Sequence, residues 1–293
     1  MSDTIKQNVQ WFPGHMAKTR RLIKESLPLV DAVTEILDAR MPESSRNPEL
    51  SELIENKPRI VLLNKCDVAD EKATNEWLKY YRNNYTAALA VDCKTGKGLN
   101  NYIPLMRDVL ADVIQKNEDR GMAGKPLRIM VVGIPNTGKS SFINKMAGRN
   151  RAKVADKAGV TRHNQWFVID NGVELLDTPG VLWPKFDDPK IGDKLAFIGS
   201  VKDDIIDSQT LAIRLLEVLK NDYADRLTNR YKVENFNDLQ AYELLELIGK
   251  KRGMMIRGGE IDCERASVML LDEYRGGLLG KITLDRVSDI KNG

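Results

Sequence analysis

Short apolar runs alternate with longer amphipathic segments over the first two thirds of the chain. The second run has no polar alternation, which is typical of a strand buried on both faces. The predicted strands are residues 32–38, 60–63, 87–91 and 129–132. The predicted helices are residues 18–27, 49–55, a segment around Trp77, and 100–116. This alternation predicts an α/β fold built on a parallel sheet.

The pattern changes after the fourth strand. Residues 164–170 and 173–176 flank Asn171-Gly172, the strongest short hairpin signal in the chain. From residue 205 onward, apolar residues recur at helical spacing in three segments, and Gly276-Gly277 closes the third. We therefore predict two domains, residues 1–200 around the sheet and residues 205–293 as a small all-α bundle.

Composition limits the class of protein. Apolar residues make up 42% of 293 residues, enough to build real cores, and a net charge of +3 points to no partner. The three cysteines lie far apart without C-x-x-C spacing, which supports neither a zinc site nor disulfides. No segment resembles a signal peptide or a membrane span, so we expect a cytoplasmic protein without a membrane partner.

Residues 133–140 match the phosphate-binding loop pattern G-x-x-x-x-G-K-[ST] between a predicted strand and helix. In such a loop, backbone N–H groups surround the β-phosphate and Lys139 reaches the β and γ oxygens. The hydroxyl of Ser140 is the expected Mg²⁺ ligand. The residues assigned to the phosphates are Asn136, Thr137, Gly138, Lys139, Ser140 and Ser141.

Two segments that match guanine-reading motifs precede the phosphate loop. Residues 64–67 read N-K-C-D and match N-K-x-D, whose aspartate accepts two hydrogen bonds that guanine can donate and adenine cannot. Residues 92–94 occupy the position of the S-A-K loop, but the match is partial because Asp and Cys replace Ser and Ala. The residues assigned to the base are Asn64, Lys65, Asp67, Asp92, Cys93 and Lys94.

Two further signals follow the phosphate loop. Residues 177–180 match D-x-x-G, in which Asp177 holds Mg²⁺ through water and the amide of Gly180 senses the γ-phosphate. Thr161 is the natural residue to reach Mg²⁺ from a switch segment. The predicted Mg²⁺ set is therefore Ser140, Thr161 and Asp177. Asn136 could also help to hold K⁺ beside the phosphates, or it could serve turn geometry alone.

The motif order is N-K-x-D, S-A-K-like loop, phosphate loop, switch I and D-x-x-G, which is not the order of an ordinary GTPase. Each main motif ends a predicted strand, where open parallel sheets place their ligand sites. Circular permutation explains the order if the polar connector at residues 118–125 joins the former termini. The predicted fold is a circularly permuted P-loop GTPase fold with a C-terminal all-α domain.

Over nearly its whole length the chain resembles the circularly permuted GTPases, within them those of ribosome assembly. Besides the motifs, the resemblance rests on residues 11–18, 38–40, 44–48 and 276–280. It implies a cytoplasmic bacterial enzyme that hydrolyses GTP to GDP with Mg²⁺ and acts late in assembly of the large ribosomal subunit. The implied partners are that subunit and its ribosomal RNA; no DNA partner is indicated, and we expect a monomer.

The residue after D-x-x-G is Val181, whereas Ras-like enzymes have a glutamine there that orients the attacking water. The chain has two histidines that could replace it, His15 and His163. The resemblance favours His15 as the catalytic residue, because it lies in the segment at residues 11–18. The alternative is that His15 only packs that segment or contacts RNA.

The C-terminal region is not basic, since from Val201 onward it has 15 Lys and Arg against 17 Asp and Glu. Any RNA contact there must be a local patch, and Lys250-Lys251-Arg252 with Arg257 is the candidate. A solvated helix end is the alternative.

Two functions stay open: an assembly factor driven by GTP hydrolysis, and a nucleotide-gated RNA-binding module in which hydrolysis is incidental.

Overall fold

The computed structural model describes residues 13–54, 57–85, 87–148, 165–170, 172–180, 182, 189–201 and 206–291. Two compact units are present: a sheet unit, Trp11–Lys185 with Thr283–Gly293, and a helical unit, Phe186–Ile282. Three predicted positions, Thr161, His163 and Val181, lie outside the described residues. For His15 only the backbone is described.

The sheet unit contains a six-stranded sheet of order β3-β2-β1-β4-β6-β5. The strands are β1 (Ala32–Asp38), β2 (Arg59–Asn64), β3 (Ala87–Ala90), β4 (Leu127–Val132), β5 (Gln165–Asp170) and β6 (Val173–Asp177). The neighbours from β3 to β6 pair in parallel, and β5 pairs with β6 in antiparallel fashion. Both the predicted parallel sheet and the predicted hairpin are therefore confirmed.

Helices connect the strands and build the second unit. In chain order they are α1 (Pro13–Ser26), α2 (Pro48–Leu53), α3 (Glu71–Asn84), α4 (Tyr102–Val109), α5 (Ala111–Asp119), α6 (Lys139–Met146), α7 (Pro189–Phe197), α8 (Ser208–Asp222), α9 (Ala224–Tyr231), α10 (Ala241–Lys251), α11 (Cys263–Arg275) and α12 (Val287–Lys291). The single helix predicted for residues 100–116 is divided at Leu110, where the backbone leaves the helical conformation. No helix among the described residues is both long and apolar enough to cross a membrane.

Both faces of the sheet are covered, as its apolar strands require. On one face Tyr102 and Phe142 belong to a core that includes Ile129. On the other face Ile23 packs in one cluster and Trp77 in another. This burial leaves the carboxyl ends of the strands as the place where polar loops can form a site.

The position of β4 agrees with circular permutation. Strand β3 lies at one edge of the sheet, whereas β4, the next in the chain, lies in the interior between β1 and β6. The chain returns from the edge through α4, α5 and residues 120–126. If β4, β5 and β6 preceded β1, β2 and β3, this return would not be needed and the sheet would be unchanged.

The helical unit contains the three predicted amphipathic helices as α8, α10 and α11, whose buried residues include Leu215, Leu244 and Leu270. It also contains α7 and α9, which the apolar pattern did not reveal. Its limits differ from the predicted domains, residues 1–200 and 205–293. Helix α7 lies in it because Phe197 packs against Tyr274, and residues 283–293 belong to the sheet unit.

Candidate nucleotide-binding site

The phosphate loop links β4 to α6 and requires glycine at two positions. Gly133 and Gly138 have φ angles of 148° and 101°, in the region that favours glycine. A Cβ on Gly133 would lie 2.5 Å from the carbonyl oxygen of Ile36, and one on Gly138 would collide with the side-chain amide of Asn64. The glycines therefore let this loop pack directly against the carboxyl-terminal parts of β1 and β2.

Lys139 is the buried cation of this loop. Its Nζ donates to the carbonyl oxygens of Gly133 at 3.0 Å and Ile134 at 2.8 Å. Burial lowers the pKa of Lys139 to about 8, and the buried carboxylate of Asp177 opposes that shift. If phosphate oxygens replaced these two carbonyl oxygens as acceptors, their negative charge would stabilise the protonated form of Lys139.

The D-x-x-G segment lies beside the same lysine. A Cβ on Gly180 would be 3.0 Å from Nζ of Lys139 and 2.9 Å from the backbone nitrogen of Pro135. Thr178 fixes the segment by donating from Oγ1 to the carbonyl oxygen of Val131 at 2.7 Å. The structure thus brings together the two motifs that the sequence assigns to the γ-phosphate.

Nucleotide binding near pH 8 is expected to take up a fraction of a proton per site, because burial lowers the pKa of Lys139 to about 8 and a phosphate would raise it again. Phosphate oxygens favour the charged form, so affinity should be highest below pH 8 and should fall as pH rises above it. Titration calorimetry with GDP in two buffers of different ionisation enthalpy measures the uptake. Binding at pH 8 without proton exchange would contradict the lowered pKa of Lys139 in the empty site.

Asn64 joins the phosphate loop to both base-binding loops. Its Nδ2 donates to the carbonyl oxygen of Thr137 at 2.7 Å, and its Oδ1 accepts from the backbone N–H of Cys93 at 2.9 Å. Lys65 adds a second link, since its Nζ donates to the carbonyl oxygen of Asn136 at 2.8 Å. Asp67, two residues further on, is exposed at the carboxyl end of β2.

The S-A-K-like loop shows what its unusual residues do. The carboxylate of Asp92 accepts hydrogen bonds from the backbone N–H of Lys94 at 2.8 Å and from Thr95. It therefore shapes the turn, and its assignment to the base stays a prediction. Burial raises the pKa of the Cys93 thiol to about 12, so this side chain is neutral. Lys94 is exposed.

The residues predicted for Mg²⁺ fit a hard cation by their chemistry. Ser140 offers a hydroxyl in the first turn of α6, and Asp177 offers a carboxylate at the end of β6.

Asn136 has a φ of 61°, a left-handed conformation that asparagine tolerates better than most residues, which supplies a geometric reason for its presence. Ser141 follows in the same helical turn and is partly buried.

Sequence reasoning used residues 38–40 for the family resemblance and gave Asp38 and Arg40 no role in the site. In the structure the carboxylate of Asp38 contacts Nζ of Lys65 at 3.0 Å and the guanidinium of Arg40 at 2.8 Å, all beside the phosphate loop. The available signal was a pair of opposite charges at the end of a strand whose other residues are nearly all apolar. Such residues rarely lie in a sheet without a partner.

Comparisons with known proteins place this site in a family. Residues 128–250 match the family described as "50S ribosome-binding GTPase". The ribosome biogenesis GTPase A of Priestia megaterium is 44% identical over 96% of this chain and 98% of its own length. This chain belongs to the ribosome biogenesis GTPase A family. The permuted order of the motifs in this chain is therefore that of a known family of GTPases.

Solved structures of the family agree over nearly the whole chain. The GDP-bound structure of TM YlqF is 29% identical, with a TM-score of 0.65 over 91% of this chain and 99% of that one. GNP-bound YlqF from Thermotoga maritima is 28% identical, with a TM-score of 0.63 over 92% and 98%. The chain is therefore a circularly permuted GTPase with C-terminal helices.

Proposed function

We propose that this GTPase binds the large ribosomal subunit and its RNA in the cytoplasm, and that it uses GTP hydrolysis in the late assembly of that subunit. The observation that carries the proposal is that Asn64, Lys139 and Gly180 lie close together at the carboxyl ends of the strands. Relatives named for ribosome biogenesis, and the matched family of 50S ribosome-binding GTPases, support the partner.

Guanine recognition rests on the loop after β2. Asn64 holds this loop against both the phosphate loop and residues 92–94, so that Asp67 projects from a fixed frame. Its carboxylate accepts from N1–H and the 2-amino group of guanine, and adenine would leave those acceptors unpaired. GTP is therefore preferred over ATP, because the carboxylate of Asp67 would lose both hydrogen bonds with adenine.

Phosphate binding exchanges partners at Lys139. The ammonium gives up the carbonyl oxygens of Gly133 and Ile134 for the β and γ oxygens, and backbone N–H groups at the start of α6 complete the cradle. Ser140 and Asp177, together with Thr161 from the switch segment, would hold Mg²⁺, which would supply positive charge to the β and γ groups. Gly180, next to the ammonium of Lys139, would donate its amide N–H to the γ-phosphate.

The attacking water needs an orienting group, since Val181 has none. We assign this role to His15, the third residue of α1. A neutral imidazole can accept a hydrogen bond from the attacking water and so hold that water in line with the γ-phosphate. His163 is the alternative, because it lies close in sequence to Thr161.

Hydrolysis is expected to be faster in KCl than in NaCl at equal ionic strength if Asn136 helps to hold K⁺ beside the phosphates. A cation there would neutralise charge that develops between the β and γ groups. Phosphate release measured over a series of K⁺ and Na⁺ mixtures tests this expectation. Identical rates would leave Asn136 with its turn geometry alone.

The basic patch proposed for RNA contains one residue that already has a partner within the protein. Lys250, Lys251 and Arg257 are exposed around the end of α10. Arg252 differs, because its guanidinium lies 3.4 Å from the carboxylate of Glu273 and over the ring of Tyr231. All four residues are exposed, but Arg252 would have to share its guanidinium with Glu273 to bind phosphates of RNA.

GTP hydrolysis with and without purified large subunits, mature and immature, tests the proposed function. Stimulation by subunits, strongest with immature ones, is the expected result for an assembly factor driven by hydrolysis. A slow rate that subunits leave unchanged would instead favour a nucleotide-gated RNA-binding module. The Lys139→Ala protein serves as the control for contaminating phosphatases.

A further inference from the structure

A short C-terminal segment, Thr283–Asp285, packs into the sheet unit at the end of β1, and we name it the clasp. Oγ1 of Thr283 accepts from the backbone N–H of Asp70 at 3.0 Å and donates to the carbonyl oxygen of Ala39 at 3.3 Å. The backbone N–H of Leu284 donates to the carbonyl oxygen of Arg40 at 2.7 Å. The clasp therefore binds the backbone directly after Asp38.

Asp285 completes the clasp with its carboxylate. Oδ2 accepts from the backbone N–H of Ser44 at 2.6 Å, and Oδ1 accepts from the hydroxyl of the same residue at 2.8 Å. Nε1 of Trp77 fixes the clasp backbone by donating to the carbonyl oxygen of Asp285 at 3.1 Å. Asp285 and Thr283 are both buried, so these hydrogen bonds form away from water, where an unpaired group is costly.

The loop that the clasp holds, residues 38–45, carries a charged residue next to the nucleotide site. Asp38 is fully buried, and its backbone N–H donates to Oγ of Ser45 at 3.0 Å. Its carboxylate accepts three hydrogen bonds from Arg40, one from the backbone N–H at 3.0 Å and two from the guanidinium at 2.9 and 2.8 Å, and it lies 3.0 Å from Nζ of Lys65. Burial alone would raise the pKa of Asp38, but the charges of Arg40 and Lys65 outweigh it and hold the pKa well below its usual range.

Lys65 carries this arrangement to the phosphate loop. Its Nζ lies between the carboxylate of Asp38 and the carbonyl oxygen of Asn136, which it contacts at 2.8 Å. The position of the ammonium is therefore set by Asp38 from one side and by the loop from the other. A shift of residues 38–45 would displace it relative to both the phosphate loop and the base-binding residue Asp67.

We infer that Asp38 is a positioning residue for the guanine nucleotide site and that the clasp, through Asp285 and Ser44, keeps it in place. The path runs from Asp285 to Ser44, along the backbone to Ser45, and then through polar contacts to Asp38, Lys65 and Asn136. The clasp thus contributes to nucleotide affinity from outside the site itself. The inference rests on guanine nucleotide binding by this site.

The Asp285→Ala variant tests the inference against the matched Asp289→Ala variant. Asp289 is exposed in α12, and its carboxylate accepts from the backbone N–H of Arg286 at 3.2 Å and from Ser288, so its loss removes none of the hydrogen bonds that define the clasp. We expect Asp285→Ala to weaken GDP affinity by about two- to thirtyfold, the range typical of coupling through a contact network, and Asp289→Ala to leave it unchanged. Titration calorimetry below the melting temperature of each variant measures both.

A second readout separates positioning from simple stability. By linkage, a clasp that favours nucleotide binding must itself be favoured by nucleotide. We expect GDP to slow hydrogen exchange at the amides of Ser44 and Leu284 in the wild-type protein, and less so in Asp38→Asn. If the Asp38 variant does not fold, Asp285→Asn, which keeps one acceptor for Ser44, should restore part of the affinity lost in Asp285→Ala.

Two results would overturn the inference. One is a folded Asp285→Ala protein with wild-type GDP affinity; the other is an equal loss of affinity in Asp289→Ala. Absence of GDP binding by the wild-type protein would instead refute the nucleotide site on which the inference rests, so the two failures are distinguishable.

Discussion

Replacing Lys139 with alanine is expected to lower the affinity for GTP and GDP by at least about a hundredfold. The ammonium already makes two hydrogen bonds in a buried loop, and each charge-assisted bond to a phosphate is worth about 1.5–3 kcal/mol. Two such bonds correspond to roughly two to four orders of magnitude in affinity. Titration calorimetry with both nucleotides in the presence of Mg²⁺ measures the loss.

Lys145→Ala is the matched control for this prediction, because Lys145 is exposed on the same helix, α6. It should bind GDP nearly as well as the wild-type protein. Circular dichroism and the melting temperature should show that both variants are folded. A folded Lys139→Ala protein whose affinity for GDP lies within a few fold of the wild-type value would show that the phosphates lie elsewhere.

Replacing His15 with alanine is expected to slow hydrolysis by about ten- to a thousandfold, a range that brackets the usual contribution of a positioned proton-transfer or water-orienting group. Affinity for GTP should stay within a few fold, because no base- or phosphate-binding residue changes. Single-turnover hydrolysis at saturating GTP isolates the chemical step from binding and product release.

The outcome for His15 also decides between the two histidines. An unchanged single-turnover rate would exclude His15 from the active site, and loss of affinity alone would give it a binding role. His163→Ala, measured in the same way, would then be expected to carry the tenfold or larger loss. Normal rates in both variants would mean that neither imidazole orients the water.

The sheet and the core of the site could be predicted because both depend on local sequence. Strand β1 was predicted with its observed limits, since residues 32–38 are bounded by loop chemistry on both sides. Asn64, Lys139 and Gly180 were predicted because each lies in a short motif at a strand end. Their mutual contacts follow from the parallel sheet, which brings the carboxyl ends of strands together.

The long-range contacts could not be predicted in the same way. Nothing in the local pattern indicates that Asp285 pairs with Ser44, because the two are 241 residues apart and an isolated aspartate is usually solvated. The same reason kept residues 283–293 in the predicted C-terminal domain. Asp92 was assigned to the base by motif position, whereas its carboxylate makes local hydrogen bonds that only the turn geometry reveals.

The central claim is that a permuted guanine site lies at the carboxyl ends of the strands. The affinity of the Asp67→Asn variant for guanine and xanthine nucleotides is the measurement that tests this claim most directly. An amide at position 67 can donate to the 2-oxo group of xanthine but can no longer accept both guanine hydrogen bonds. We predict that the variant binds GTP much more weakly than the wild-type protein and gains affinity for xanthosine triphosphate in the same competition assay. Wild-type GTP affinity in a folded Asp67→Asn protein would contradict this assignment of the site.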